Sequence, residues 1–327
     1  MERKQCREWA ERHQVALYLL TIGAGVALGA LLPGLAPTLE LAVEPSIAAL
    51  LLVTFLGVPL TRLGAALRDG RFLLTLLAVN FLAVPLIVWV LTRPLTGSPE
   101  LLIGALLVLL APCIDYVIVF TALAGGAQER LLAATPVLML AQMLALPVLV
   151  PMLSGGAALG MIEPVPFVRA LVLLVLLPLL VAVLIQRVGP RWDLSPALVP
   201  LMVLVLVTVV AAPPPRGRGA GTALLALVPI YAGFLVLATA AGTLVSRLAK
   251  LGVGESRALT FSAATRNSLV VLPLALAMPS PLVPAAVVTQ TLVELLGMVV
   301  LVQVLPRLLR TPRADSPRAG MGGSGSR

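Results

Sequence analysis

The chain has 327 residues, of which 60% are hydrophobic and only 11% carry a charge. Its mean hydropathy is +1.08, whereas a soluble domain needs roughly 25% charged residues to cover its surface, so a soluble protein is excluded. The net charge of +9 does not indicate a nucleic-acid partner, because the arginines lie between apolar segments, where they orient membrane helices. We therefore expect one all-α domain in a lipid bilayer.

The chain begins with a basic segment, residues 1–14, which we expect to lie in the cytoplasm. Apolar stretches then recur up to residue 310, and about 20 apolar residues suffice to cross the hydrocarbon core as a helix. The ten predicted spans are residues 15–32, 45–66, 71–92, 100–124, 131–153, 163–187, 194–213, 222–248, 257–279 and 284–310. Residues 311–327 are rich in Gly, Ser, Pro and Arg and are predicted to form a disordered tail.

The distribution of basic residues predicts the orientation of these spans. Ten spans place both termini on one side, and 18 of the 23 Lys and Arg residues lie on that side. Four lie on the opposite side, and Arg266 lies within a span. Because cytoplasmic loops are enriched in Lys and Arg, we expect a multi-pass protein of the cell inner membrane with both termini in the cytoplasm.

An internal offset of 152 residues relates two five-span halves, residues 15–153 and 163–310. The offset pairs polar residues of spans four and nine and of spans five and ten, Asp115 with Asn267 and Gln142 with Glu294. Halves with an odd number of spans have opposite orientations in the membrane, and such inverted repeats are a transporter architecture with its site at the repeat interface. We therefore predict a ten-helix transporter domain over residues 15–310.

Spans four and nine carry features that predict broken helices. In span four, residues 111–115 (Ala-Pro-Cys-Ile-Asp) interrupt an apolar helix, and Pro112 removes a backbone donor and clashes with the preceding turn. In span nine, the polar residues 265–268 (Thr-Arg-Asn-Ser) precede Pro273. Unwound backbone at membrane depth is tolerated only where it is buried or lines a cavity. The two breaks are therefore predicted to cross near the membrane centre and to form a binding site.

The candidate solute- or ion-binding residues are Cys113, Asp115, Gln142, Thr265, Arg266, Asn267, Ser268, Gln290 and Glu294. Ionisable groups inside a membrane need partners, so we expect Asp115 and Arg266 to pair, either to fix the crossing or to share a solute or proton. Gln142 is either a polar contact between helices or a ligand. Cys113 is either a small buried hydrophobe or a soft contact for a metalloid.

The segment from residue 111 to residue 123, with the Gly-Gly turn after it, resembles the fourth span of arsenite-efflux carriers, which belong to the bile acid/sodium symporter superfamily. The resemblance extends to residues 261–268 in span nine and 292–294 in span ten. It implies a four-helix panel and a six-helix core with spans four and nine broken and crossing. It also implies that Cys113 and Glu294 match the functional cysteine and glutamate of the arsenite carriers.

Span nine departs from the pattern of the family. Sodium-coupled members carry Glu and Gln where this chain has Ser262 and Arg266, and a guanidinium at a cation site would repel sodium. Arsenite carriers usually have paired asparagines at Arg266-Asn267 and a small apolar residue at Asp115. The resemblance therefore predicts a secondary carrier that extrudes arsenite or antimonite, with Glu294 as the protonation site and H+ as the coupling ion.

Three alternatives stay open at this point. A sodium- or proton-coupled carrier of organic anions would pair Arg266 with the carboxylate of its substrate. A membrane-embedded enzyme would turn over a substrate without a gradient, and a passive channel would not depend on the proton gradient. The sequence contains no P-loop, zinc pair or catalytic elbow, so we expect neither a cofactor nor enzymatic activity, and the oligomeric state is left open.

Overall fold

A computed structural model of the chain describes residues 14–57, 69–114, 116–155, 171–188, 220–276 and 280–309, with isolated positions between 169 and 208 and at 278. All regular elements in these ranges are helical. The principal helices are α1 (Gln14–Leu31), α2 (Ala36–Gly57), α3 (Gly70–Leu91), α4 (Pro99–Leu109), α5 (Tyr116–Leu123), α6 (Gln128–Leu153), α7 (Leu177–Val188), α8 (Leu227–Leu248), α9 (Val253–Ala264), α10 (Ser268–Leu276) and α11 (Leu282–Leu308). The described ranges contain two π-helical stretches, Val79–Ala83 within α3 and Leu171–Leu176 before α7.

Four helices in the described ranges are long and apolar enough to cross a membrane, judged by length and composition. They are α3, α6, the segment Gly221–Leu248 that contains α8, and α11. Their outer faces expose large apolar side chains, such as Leu144 at 77% and Val236 at 68%. Such surfaces are costly in water and are favourable against lipid tails, in agreement with the predicted all-α membrane protein.

The predicted spans and the described helices differ in several places. Spans four and nine are each divided into two helices, α4 and α5, and α9 and α10. The second span was predicted to start at residue 45. In the structure α2 begins at Ala36, and Pro45 lies inside the helix. Residues 1–13 and 311–327 and most of the predicted span 194–213 lie outside the described residues. The ten-span count, the inverted repeats and the domain boundaries therefore stay predictions.

The most deeply buried helices are the ones that precede the two breaks. Every residue from Leu101 to Leu109 of α4 is buried, as is every residue from Ala258 to Ala264 of α9. α4 packs against α11, and α9 packs against α8. Gly104 permits the first approach, because a Cβ there would lie 2.7 Å from the Cβ of Ala286. The two breaks are therefore held at the centre of the bundle.

A second group of helices lies beside this core. α2 packs against α7, and the side-chain amide of Gln186 donates hydrogen bonds to the carbonyls of Phe55 at 3.0 Å and Leu56 at 3.1 Å. α10 contacts both α2 and the π-helical stretch Leu171–Leu176. The helix that follows the second break therefore contacts both groups of helices.

Candidate solute and ion site

The two helix breaks lie where the sequence predicts them, and they pair with each other. An isolated antiparallel bridge joins Pro112, between α4 and α5, to Arg266, between α9 and α10. The bridge consists of two backbone hydrogen bonds, from the N–H of Cys113 to the carbonyl of Thr265 at 3.2 Å and from the N–H of Asn267 to the carbonyl of Ala111 at 2.8 Å. The backbone groups that one break leaves unpaired thus form hydrogen bonds with the other break, which matters in the membrane interior because no water is present to bind them.

The local sequence explains why both helices stop at the crossing. Pro112 has no N–H to donate and cannot continue α4. Thr265 adopts an extended conformation, with φ −96° and ψ 140°. The side-chain oxygen of Asn267 then accepts a hydrogen bond from the N–H of Val270 at 3.1 Å, which caps the first turn of α10. A polar residue in the break therefore starts the next helix.

Arg266 lies at the crossing with its side chain fully buried. Its Nη2 donates to the side-chain oxygen of Asn80 at 3.0 Å and to the carbonyls of Ser262 at 2.7 Å and Ala263 at 2.5 Å. Its Nη1 lies 3.4 Å from the carbonyl of Leu109. These three carbonyls belong to the last turns of α9 and α4, so the guanidinium lies at the negative ends of two helix dipoles.

Two further features of the guanidinium bear on what it can bind. Its Cζ lies 5.3 Å from the ring centroid of Phe234 on α8, within cation–π range. Its Nε has no hydrogen-bond partner among the described residues. The oxygens of the protein thus contact both terminal nitrogens of Arg266, whereas Nε is buried without an acceptor and could bind a solute only if the site opened.

Glu294 on α11 accepts hydrogen bonds at the same point. Its Oε2 accepts the backbone N–H of Arg266 at 2.9 Å and also accepts the side-chain amide of Gln290. Its Oε1 accepts the hydroxyl of Tyr116 at 2.6 Å, and this hydroxyl lies 2.9 Å from the carbonyl of Arg266. The Tyr116 hydroxyl has a single proton, so it either donates to an ionised Glu294 or donates to the carbonyl of Arg266 and accepts from a protonated Glu294. Glu294 therefore ties α11 to both breaks.

Asn80 is a member of the site that the sequence analysis missed. It is fully buried in the π-helical stretch of α3, and its amide nitrogen donates to the hydroxyl of Ser262 and to the carbonyl of Leu76, each at 3.0 Å. Tyr116 and Ser262 also join the network although they were not candidates. A lone Asn in the middle of an apolar span is a signal that could have identified Asn80, because buried polar groups in membranes are rarely without a role.

The other candidates occupy different places. Thr265 donates from its hydroxyl to the carbonyl of Phe261 at 2.7 Å, which closes the last turn of α9. Cys113 is fully buried in the first break, and Ser268 is buried at the start of α10. The structure thus brings Cys113, Thr265, Asn267 and Ser268 to the crossing, where they lie next to Arg266 in the chain or in the opposite break.

Two candidates lie outside this network. Gln142 on α6 is fully buried, but neither its amide oxygen nor its amide nitrogen has a hydrogen-bond partner among the described residues. Asp115 lies outside the described residues, so its pairing with Arg266 stays a prediction.

Long apolar helices with two interrupted helices crossing between them define a class of protein, the polytopic membrane carriers. Comparison with protein families agrees with this class, since the sodium bile acid symporter family matches residues 45–218 of the chain. The chain belongs to the sodium bile acid symporter family. No curated protein matches the chain.

Membership of this family means transport of the sodium/solute symporter type, and members of the family are transporters and not enzymes. The family predicted from the sequence is confirmed, and the particular likeness to arsenite-efflux carriers stays a prediction. The matched region includes the first break at Pro112 but ends before α9 and α11. The family match therefore says nothing about the residues of α9 and α11 that surround Arg266, and their roles follow from their contacts in the structure.

Proposed function

We propose that this protein is a proton-coupled secondary carrier that exports arsenite or antimonite, in which the guanidinium of Arg266 occupies the place that a coupling sodium ion would take. The observation that carries the proposal is the ring of oxygen atoms around that guanidinium, from Asn80, Leu109, Ser262 and Ala263. In carriers with interrupted helices, unwound carbonyls and half-helix C-termini coordinate the coupling cation. Here the same kinds of oxygen hold a side chain of the protein itself.

A fixed guanidinium at this point disfavours sodium coupling. Arginine stays protonated in proteins, and a second cation about 4 Å away costs about 4 kcal/mol at an effective dielectric constant of 20. That amount would weaken sodium binding by about three orders of magnitude. The driving ion is then the proton, and a carboxylate at the crossing is the group to receive it.

Glu294 is that carboxylate. In its charged form it accepts the backbone N–H of Arg266 and the hydroxyl of Tyr116. Protonation would remove its negative charge and so weaken the charge-assisted hydrogen bond that it accepts from the backbone N–H of Arg266. Because Arg266 belongs to one of the two breaks, proton binding would loosen the crossing. This gives a direct route from proton uptake to the rearrangement that exposes the site to the other side.

The solute assignment depends on Cys113 and on the resemblance of its segment to arsenite carriers. A thiol is a soft ligand that suits a metalloid, and a single thiol binds it loosely enough for release. Cys113 is fully buried in the present conformation, so the metalloid would reach it only when the two breaks separate. The thiol would then line the path during one stage of the transport cycle.

The family match favours a second candidate, a sodium- or proton-coupled carrier of organic anions. Such a substrate would bind its carboxylate to Arg266, where Nε is the donor that the protein leaves without a partner. A monodentate contact of this kind is weaker than the bidentate pair that arginine usually forms with a carboxylate. An organic anion would therefore need a second contact, from a cation or an N–H group that becomes accessible during transport.

Uptake into proteoliposomes that contain the purified protein distinguishes these functions. Arsenite and a bile acid are each offered under an imposed proton gradient, an imposed sodium gradient, or neither. We expect arsenite to accumulate only with the proton gradient. Bile acid accumulation without arsenite accumulation would replace the first proposal by the second, and accumulation driven by sodium alone would contradict the role given to Arg266.

The placement of the protein in the cell inner membrane with cytoplasmic termini is part of the same proposal. It is supported by the 18 basic residues on the side of the termini against four on the other side. Reporter fusions at the C-terminus test it, since a cytoplasmic reporter should be active and a periplasmic one inactive. The reverse pattern would contradict the orientation and with it the direction of transport.

A further inference from the structure

An apolar groove runs along the outside of the helix bundle between α8 and α11. It has a volume of about 840 Å³ and is lined from Ala232 to Arg247 along α8 and from Val293 to Leu308 along α11. Its rim exposes large apolar side chains, including Val300 at 60% and Leu244 at 58%. A surface of this size and character needs an apolar occupant.

The polar groups of the groove lie on one ridge of α8 near its C-terminal end. Thr239, Thr243 and Arg247 line the groove at intervals of four residues, so they lie above one another on one helix face, about 6 Å apart. Arg247 is exposed, and no described residue accepts a hydrogen bond from its guanidinium. The hydroxyl oxygen of Thr243 is buried and has no hydrogen-bond partner in the described part of the chain. Arg247 is thus available to an occupant of the groove, and the Thr243 hydroxyl has no described protein partner that would compete with an occupant after its side chain rotates.

A second cation lies at the same end of the groove. Tyr231 near the start of α8 contacts Ala286 near the start of α11, and further along Leu235 lies beside Gly297, so the two helices run parallel and both end there. Arg307 lies in the last turn of α11, seven residues after Val300, and therefore continues the face that lines the groove. Like Arg247 it is exposed. The groove is therefore apolar along its length and positively charged at one end.

We propose that this groove binds one anionic phospholipid, with an acyl chain along the apolar lining and the phosphate at Arg247 and Arg307. Arginine binds phosphate through paired charge-assisted hydrogen bonds, and basic residues at the ends of membrane helices attract anionic headgroups. The Thr243 hydroxyl lies one helical turn below Arg247, where it would donate to an ester carbonyl below the phosphate. The combination of an apolar channel, a hydroxyl and a cationic end matches a phospholipid better than it matches a second protein chain.

Native mass spectrometry of the purified full-length protein in detergent tests the proposal. The protein is titrated with phosphatidylglycerol and with phosphatidylcholine of the same acyl chains, and the affinity of the first bound lipid is measured. We expect phosphatidylglycerol to bind more tightly, and Arg247→Gln to weaken its binding about fivefold, as expected for the loss of one basic residue at a membrane surface. Arg247→Lys should retain most of the affinity. Ala240→Phe, which fills the groove, should weaken the binding of both lipids.

Two exposed positions outside the groove serve as matched controls. Arg187→Gln removes a basic residue from the last turn of α7, and Leu237→Phe adds bulk on the outer face of α8. Neither should change lipid affinity. Equal affinity for the two lipids, or an effect of Arg247→Gln no larger than that of Arg187→Gln, would overturn the proposal. A change of oligomeric state in Ala240→Phe with lipid binding unchanged would also overturn it and would assign the groove to contact with a second copy of the chain.

Discussion

The backbone N–H of Arg266 donates a 2.9 Å hydrogen bond to the carboxylate of Glu294, 28 residues away on the last helix of the bundle. This bond forms at the residue where α9 has already ended and α10 has not yet begun, so the acid holds the open backbone of the break. The side chain of the same arginine binds the carbonyls that end α4 and α9. A change in the charge of Glu294 therefore acts directly on the crossing of the two interrupted helices.

The first prediction concerns Glu294→Gln. The substitution keeps the shape of the side chain but removes the proton that the proposed cycle carries, so gradient-driven accumulation of arsenite should fall at least about tenfold, a change of about 1.4 kcal/mol in free-energy terms. Exchange of arsenite across the membrane without a gradient should persist. Glu255→Gln is the control, since Glu255 pairs with Arg130 away from the crossing. Equal loss of accumulation in both variants would assign the effect to folding.

The second prediction concerns the cation-like place of Arg266. Arg266→Gln removes the guanidinium and leaves the oxygens of Asn80, Ser262 and Ala263 available to an ion. We expect the unfolding temperature of this variant to rise in sodium relative to potassium at equal concentration, since a bound ion at one hundred times its Kd stabilises by about 2.7 kcal/mol. The parent should show no difference between the two salts.

Arg266→Met is the matched control for that experiment. It also removes the charge, but it fills the space with an apolar chain and supplies no oxygen. It should be destabilised to a similar degree and should not respond to sodium. A sodium response in the parent would contradict the account, as would the absence of one in a folded Arg266→Gln protein.

The third prediction concerns Asn80, whose side-chain oxygen accepts a hydrogen bond from the Arg266 guanidinium. Leucine has the same branched shape as asparagine but no acceptor. Asn80→Leu leaves the guanidinium with one acceptor fewer, so we expect a destabilisation of about 1.5–3 kcal/mol, measured by thermal unfolding in detergent. Asn80→Asp loses the amide donor to Leu76 and Ser262 but keeps an acceptor, now charged, for the guanidinium, so it should lose less stability than Asn80→Leu. If Asn80→Leu unfolds at the temperature of the parent, the bond between Asn80 and Arg266 has no part in stability.

The fourth prediction uses the burial of Cys113. After Cys6→Ser, Cys113 is the only cysteine of the chain. Because its side chain is fully buried, a maleimide should label it slowly at rest and faster when a proton gradient drives the transport cycle. Thr96→Cys in a Cys113→Ser background is the control, since Thr96 is exposed in the turn before α4 and should react at one rate in both conditions. A gradient-independent rate at Cys113 would show that the crossing does not open.

The fifth prediction tests the packing of α4 against α11. Gly104→Ala would place a Cβ 2.7 Å from Ala286 and 2.8 Å from the carbonyl of Val283, and overpacking of this kind costs about 1–3 kcal/mol. Gly233→Ala is the matched helix position, where the nearest heavy atom would lie at 3.5 Å. The first variant should unfold at a lower temperature and the second should not. Equal effects would show that α4 and α11 are less closely packed than described.

The position of both breaks was predictable from the sequence, but proline alone does not explain it. α6 contains Pro136, Pro147 and Pro151 and continues as one helix, whereas Pro112 lies at a break. The difference is that residues around Pro112 find backbone partners in the second break, so the helix can open there without leaving polar groups unpaired. In the second half the signal was the polar run at residues 265–268 alone, since Pro273 lies inside α10 and does not break it.

The partners of Arg266 were not predictable in the same way. Three of its acceptors are backbone carbonyls, which any residue supplies, and their availability depends on where α4 and α9 end. The fourth, Asn80, is 186 residues away in sequence, and only the packing of α3 against α9 brings it close. Sequence analysis could identify a buried arginine that needs partners, but the structure had to supply them.

Accumulation of arsenite in proteoliposomes with an imposed proton gradient and no sodium is the measurement that decides whether the protein is a proton-coupled metalloid carrier. The parent protein should accumulate arsenite, dissipating the gradient should abolish the accumulation, and sodium should neither replace the proton gradient nor increase the accumulation. Accumulation that requires sodium, or no arsenite transport by folded protein under any gradient, would contradict a proton-coupled carrier with Arg266 in the place of the cation.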